Sequence, residues 1–257
     1  MSIALEGGCR VSAMNEGNPI TNGAMKIWNQ INQSTGAQAI SLRVLEFRQG
    51  VSPLIRNHTT DEVFYFLEQL DGKPPQGLRC KVHIDGHSFD VEAQTGIYLK
   101  PDQTMLVENS GIIPVIVISA QCPGNAQGQV APMPTRSPGV LNFPGVRLAD
   151  REEIPTADRW YRVLVDDEIG SEQMTQFVGS IPPGRAPDHF HQYEEVLFIL
   201  RGTGRMWAGR TTTEIGPGSC IYLPKGQVHC VENTGTDELR LLGVFYPAGS
   251  PSVRYET

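Results

Sequence analysis

Four side chains in the last third of the sequence have the types and spacing of a metal site: His189, His191, Glu195 and His229. His189 and His191 are separated only by Phe190, and in an extended strand residues two apart face the same side. Both imidazoles therefore aim at one point. Glu195 keeps that parity if the strand resumes after the Gln192-Tyr193-Glu194 kink. His229 arrives from a second strand, beyond the Pro224-Lys225-Gly226 turn. Three neutral imidazoles and one carboxylate make a nitrogen-rich site for one divalent transition metal, with Mn, Fe, Ni, Co and Zn all acceptable. The blander reading of a lone histidine is a satisfied core residue. Here half of the chain's six histidines occupy ligand slots.

Four protein ligands leave one or two positions free on a five- or six-coordinate metal, which marks a catalytic centre rather than a structural one. A small substrate with adjacent oxygens, such as a hydroxyketone, catechol, keto acid or sugar acid, fits such positions. Beside the ligands stand Tyr193, Arg205, Trp207, Tyr222, Gln227 and Phe245. Of these, Arg205 is the candidate clamp for a substrate carboxylate. Tyr193 or Tyr222 is the candidate acid. Cys220 and Cys230 are expected to fill core.

The elements that must position these residues can be read from the glycines and prolines around them. The stretch G-x4-H-x-H-x3-E-x6-G runs from Gly184 to Gly202, and G-x5-P-x-G-x2-H-x3-N runs from Gly218 to Asn233. The first resembles the first motif of the cupin superfamily, with its glycine spacing one residue short of the usual. The second matches that superfamily's second motif. The resemblance implies a small antiparallel barrel with the metal held by His189, His191, Glu195 and His229. It favours Glu195 over Glu194, because only Glu195 stands the family's distance before Gly202.

A weaker copy lies about 130 residues upstream. G-V-S-P-L-I-R-N-H-T-T-D-E-V-F-Y-F-L precedes G-I-Y-L-K-P-D-Q-T-M-L-V-E-N, and counting back from Glu62 sets His58 on His191 and Arg56 on His189. Met105 or Leu106 takes the slot of His229. Such a repeat signals duplication, and the chain resembles a bicupin. Arginine has no lone pair for a metal, so the front copy is expected to be metal-free. Arg56, beside His58 and Glu62, is expected to join a buried ion-pair cluster or to bind a small anion. His83 and His87 are read as surface hairpin residues.

The expected fold class is all-β: two cupin-type antiparallel barrels in tandem with few short helices. Residues 1–38 form a polar, irregular N-terminal arm. Residues 39–122 form the degenerate front barrel, 123–158 a linker, and 159–257 the metal-binding rear barrel. Met25, Ile27 and Trp28 of the arm are expected to pack on a neighbouring sheet or a second subunit. Residues 123–144 are rich in Pro, Gly, Asn and Gln, as an extended connection is. A short helix over 149–153 is expected to end at Pro155. The tail after Phe245-Tyr246 is expected to lie across the barrel or a partner.

Length and composition bound the remaining choices. The 257 residues suffice for one large domain or two small ones. The net charge of −7 is spread out with no basic block, which argues against nucleic acid. No apolar run nears the length of a membrane span, and the N-terminus has no signal-like apolar region. Five scattered cysteines without a CxxC pair argue against disulfides and point to a reducing cytoplasm. The expected partner is a small-molecule substrate, with a homodimer as candidate assembly. Three functions remain open: a dioxygenase-like oxidoreductase, which is favoured; a redox-neutral isomerase, lyase or hydrolase; and a non-catalytic small-molecule-binding protein.

Overall fold

The computed structural model describes residues 2–68, 79–122 and 141–253. Strands dominate, and the helical elements among the described residues are short 3-10 turns. The strands pair antiparallel and form two barrels in tandem, each a pair of facing sheets. In the front barrel, a sheet built on Ser41–Phe47, Asp61–Phe66, Thr95–Leu99 and Val115–Cys122 faces one built on Cys80–Ile84 and Thr104–Asn109. In the rear barrel, Arg159–Val165, Thr175–Ile181, Glu194–Arg201, Ser219–Leu223 and Leu239–Tyr246 lie in one sheet. Gly204–Ala208 and His229–Asn233 lie in the other.

Strand parity decides which core each residue enters. Along Glu194–Arg201, Leu197 and Ile199 fill the rear barrel, while Val196 and Phe198 enter a core shared between the two barrels. Along Asp61–Phe66, Phe64 and Phe66 fill the front barrel, while Val63 and Tyr65 enter the shared core. These strands are covered on both faces, so the sequence shows apolar runs instead of clean alternation. Burying each such side chain stabilises the fold by roughly 1.5–3 kcal/mol. The seam between the barrels is thus held by the same force as either interior.

The N-terminal residues are more ordered than their polar composition suggested. Arg10–Ala13 pairs with Ser219–Leu223 and so extends the rear barrel's sheet. Met25–Ile31 pairs with Ser41–Phe47 in the front barrel. The expected irregular arm is therefore a set of short strands. Their alternation is only a few residues long, and Gly and Asn turns interrupt it. Met25 and Ile27 pack on the front core and Trp28 on the shared core, so the neighbouring-sheet alternative holds for them.

Of the expected linker, residues 123–140 lie outside the described residues. Gly145–Arg147 pairs with Thr95–Leu99, so this segment extends the front sheet as Arg10–Ala13 extends the rear one. The expected helix at 149–153 is instead a single 3-10 turn, Leu148–Asp150, and Pro155 lies within the strand Ile154–Thr156. At an edge strand, proline's missing N–H costs no ladder bond. The C-terminal tail lies across the rear barrel, where Gly249 exchanges bonds of 3.0 and 3.1 Å with the Thr175 hydroxyl.

Candidate metal centre

His229 begins the strand His229–Asn233, and His189 faces it across an isolated antiparallel bridge. The two backbones exchange both hydrogen bonds, His229 N to His189 O at 2.8 Å and His189 N to His229 O at 3.1 Å. That pairing brings the imidazoles together from two segments of chain. His191 has the parity of His189, and its carbonyl accepts from Gly226 N at 2.8 Å. The bond ties the turn before His229 to the first segment. Gly226 takes φ +78 there, a conformation that favours glycine.

The three rings lie 4.6–5.1 Å apart by centroid, and their ligand atoms fall within 4.8 Å of one another. His189 Nδ1 is 3.0 Å from Pro187 O, and His229 Nδ1 is 2.8 Å from Gln227 O. A carbonyl only accepts, so each Nδ1 carries the proton and each Nε2 keeps its lone pair for a cation. Glu195 enters beside His191, with 3.3 Å between Oε2 and Nε2. His191, Glu195 and His229 are buried and His189 is half-buried.

The electrostatics suit a cation. Burial pushes the Glu195 carboxyl up to about 8. Burial, reinforced by the neighbouring His189, pushes His229 down to about 4. In the metal-free protein at pH 7 His229 is therefore neutral and Glu195 keeps its proton, because an ionised Glu195 would lack a compensating charge. A divalent ion supplies that charge and uses the lone pairs, so these residues fit the metal that the sequence implies.

A cavity of about 100 Å³ opens on these four residues. Its walls include Arg159, Tyr161 and Phe177, which the sequence reading did not single out. No spacing marks them. They come from Arg159–Val165 and Thr175–Ile181, and only sheet closure brings those strands over the histidines.

The expected pocket wall needs correction at several points. Along Gly204–Ala208 the even-numbered residues are buried, and Arg205 is exposed on the outer face, away from the cavity. Trp207 shares that outer face, donating to Glu232 at 2.8 Å beneath the Arg185 guanidinium. Tyr222 points into the seam between the barrels, where its hydroxyl donates to Glu194 at 2.5 Å. Tyr193 stacks on His191 at 4.6 Å and on Phe245 at 4.4 Å, which makes it a support behind the ligand. It is not among the residues lining the cavity. Gln227 turns its amide to Val228 O at 2.8 Å. Cys220 and Cys230 are buried, as expected.

The front barrel shows what replaced the site. Ile55 faces Met105 there as His189 faces His229 in the rear, and Asn57 follows with the parity of His191. The front copy therefore carries one extra residue before its glutamate, and counting from Glu62 misplaces the alignment by one. Ile55, Asn57 and Met105 hold the three histidine positions. Met105, not Leu106, matches His229. Arg56 and His58 turn outward to Asp102, at 3.4 and 2.8 Å, and form no buried cluster with Glu62.

Glu62 is instead bonded by Arg43, Asn57, Ser119 and Gln121. The cation of this buried cluster is Arg43, which lies opposite Ser119 as Phe177 lies opposite Gly243 in the rear barrel. A Cβ on Gly243 would come within 2.3 Å of the Phe177 ring. His83 is partly buried and bonded to Glu108 and Ser88, at 3.0 and 2.7 Å. His87 is buried, contrary to the surface expectation, because its strand turns it inward.

The closing asparagine of the second motif has a structural role that both copies repeat. Asn233 Nδ2 donates to Ile181 O and Asp237 O, at 2.9 and 2.8 Å, and its Oδ1 accepts from Gly235 N at 2.9 Å. Asn109 makes the same three bonds with Phe47, Ile113 and Gly111.

Comparison with known proteins agrees with this fold. The Cupin domain family model matches residues 177–245. An uncharacterized protein of Streptomyces coelicolor is 37% identical over 60 residues, 23% of this chain and 56% of that protein. Quercetin 2,3-dioxygenase of Bacillus subtilis is 24% identical over 98 residues, 37% of this chain and 29% of that protein. The matches thus span about half or less of these relatives' lengths. Among solved structures, a mutant of Bacillus subtilis oxalate decarboxylase superposes with a TM-score of 0.71 at 15% identity, covering 93% of this chain and 78% of that one. A Pseudomonas aeruginosa protein named for glyoxylate induction superposes with a TM-score of 0.72 at 14% identity, covering 96% and 91%. The rear barrel is a cupin domain, and the whole chain has the two-barrel cupin fold.

Proposed function

We propose that the rear barrel is the active centre of a metal-dependent enzyme acting on a small oxygenated metabolite. The observation that carries this reading is the convergence of His189, His191 and His229, two of them with Nδ1 fixed on a backbone carbonyl. Glu195 completes the ligand set and partly neutralises the ion. Tyr193 holds the His191 ring. One divalent ion bound there supplies Lewis acidity and free coordination positions. The apolar wall, with Phe177 and Leu197, excludes water from the substrate.

Oxidation with dioxygen as co-substrate is the favoured reaction, by the likeness to quercetin 2,3-dioxygenase. A redox-neutral lyase or isomerase is the second reading. The cavity of about 100 Å³ is small against the 300–1,000 Å³ of ordinary ligand pockets, which suits a small acid under either reading. Metal-loaded protein incubated with small 2-oxo and 2-hydroxy acids, in an oxygen electrode and again under argon, tests the choice. Turnover with matching oxygen uptake is the expected result. Turnover that persists under argon replaces it with the second reading. Binding without turnover in either atmosphere leaves a non-catalytic protein and overturns both.

A further inference from the structure

The cavity wall contains one cationic side chain, Arg159. It opens the strand Arg159–Val165, and its side chain is 12% exposed. Its Nε donates to Asp158 at 3.0 Å. That bond uses one edge of the guanidinium, and the terminal nitrogens present the planar fork that grips a carboxylate with two parallel bonds. Asp158 is 64% exposed, so water screens most of its charge.

Charge within the cavity points the same way. With neutral imidazoles, a divalent ion is offset by Glu195 alone, and the centre remains positive. Arg159 adds a second positive charge to walls made largely of Tyr161, Phe177, Leu197 and Leu241. Two cationic groups in a mostly apolar enclosure are costly unless an anion meets them. One anionic oxygen group at the metal satisfies the first and leaves Arg159 for another.

We infer that the substrate is a small acid carrying a carboxylate besides its chelating oxygens, and that Arg159 receives this second carboxylate. This inference rests on the metal-centre reading above. It makes Arg159 the specificity-determining residue and gives it the clamping role that the exposed Arg205 cannot fill. The cavity is small, which suits a short dicarboxylate bearing a hydroxyl or oxo group.

Malate and 2-hydroxybutyrate share a 2-hydroxy acid head and differ in a terminal carboxylate against a methyl group, so they form the test pair. Binding is read from the visible band of Co(II)-loaded protein, with cobalt content measured first. Wild-type protein should bind malate at least tenfold more tightly. Arg159→Gln should bring the two ligands within about twofold, and Arg159→Lys should keep part of the preference, both with unchanged cobalt content. Equal affinities in the wild type, or a preference that survives in Arg159→Gln, overturns the inference while the metal centre stands. Wild-type protein that takes up no cobalt overturns the metal centre itself, and this inference with it.

Discussion

Glu194 and Glu195 are neighbours in the chain whose carboxylates point into different compartments. Glu195 faces the histidines of the rear barrel. Glu194 faces the seam, where it accepts from Gln38 N, Ala39 N and Ile40 N at 2.9, 2.7 and 3.2 Å and from the Tyr222 hydroxyl. A strand separates adjacent residues onto opposite faces, so one acid serves the cavity and the next locks the barrels together.

The two substitutions should therefore part cleanly. Glu195→Gln should lose most bound metal and leave the melting temperature of the metal-free protein unchanged or raised. Glu194→Ala should keep its metal but lose on the order of 3 kcal/mol of stability, because several buried donors are left without an acceptor. Metal analysis alongside thermal unfolding distinguishes the pair. Metal loss from Glu194→Ala with Glu195→Gln intact would reverse the assignment.

Arg43 should matter to the front barrel and not to the metal. Arg43→Ala leaves Glu62 buried without its cation, a change that costs about 3–5 kcal/mol. Denaturant unfolding should show that loss, while metal stoichiometry stays at about one ion per chain. A second ion bound by the wild type would contradict the reading of Ile55, Asn57 and Met105 as a site without ligands.

Metal uptake should release a proton. In the metal-free protein Glu195 titrates at about 8, raised from 4.5 by burial, so it is protonated at pH 7. A raised carboxyl pKa contributes stability below pH 4.5 that is lost as pH rises through 8. Ion binding reverses the sign by favouring the carboxylate. Affinity should therefore climb with pH up to about 8 and then level off. His229, lowered from 6.5 to about 4, is already neutral and should contribute no proton at pH 7. Calorimetric titration at pH 7 in buffers of different ionisation enthalpy should report close to one proton per ion. Zero protons would place the ion away from Glu195.

Tyr193 should act through its ring. Tyr193→Phe should keep both metal content and turnover, since the stacking on His191 and Phe245 survives. Tyr193→Ala should weaken metal affinity by roughly tenfold, a loss of about 1.4 kcal/mol, in line with aromatic pair energies. Turnover abolished in Tyr193→Phe at full metal content would restore the role of acid that its place in the sequence suggested.

Much of this was legible in the residues. His189 and His191 share parity, and the turn signals before His229 announce a second strand. Both barrels follow from the repeated glycines and the resemblance they support. What escaped the sequence depends on strands meeting at a distance. Arg205 and Arg159 look alike as letters, and only pairing shows that one faces solvent and the other the cavity. The one-residue shift at Asn57 was hidden because Glu62 fixes the count on one side only, while the register with Met105 fixes it on the other. The strand Arg10–Ala13 was missed because its partner, Ser219–Leu223, lies some two hundred residues away.

The central claim is one ion held by three imidazoles and an acid in the rear barrel, and metal analysis tests it most directly. Protein purified without chelator and resupplied with Mn, Fe, Ni, Co or Zn should hold about one ion per chain, and His191→Ala combined with His229→Ala should hold none. Wild-type protein that takes up no ion, or a double variant that binds as much as the wild type, would contradict the account.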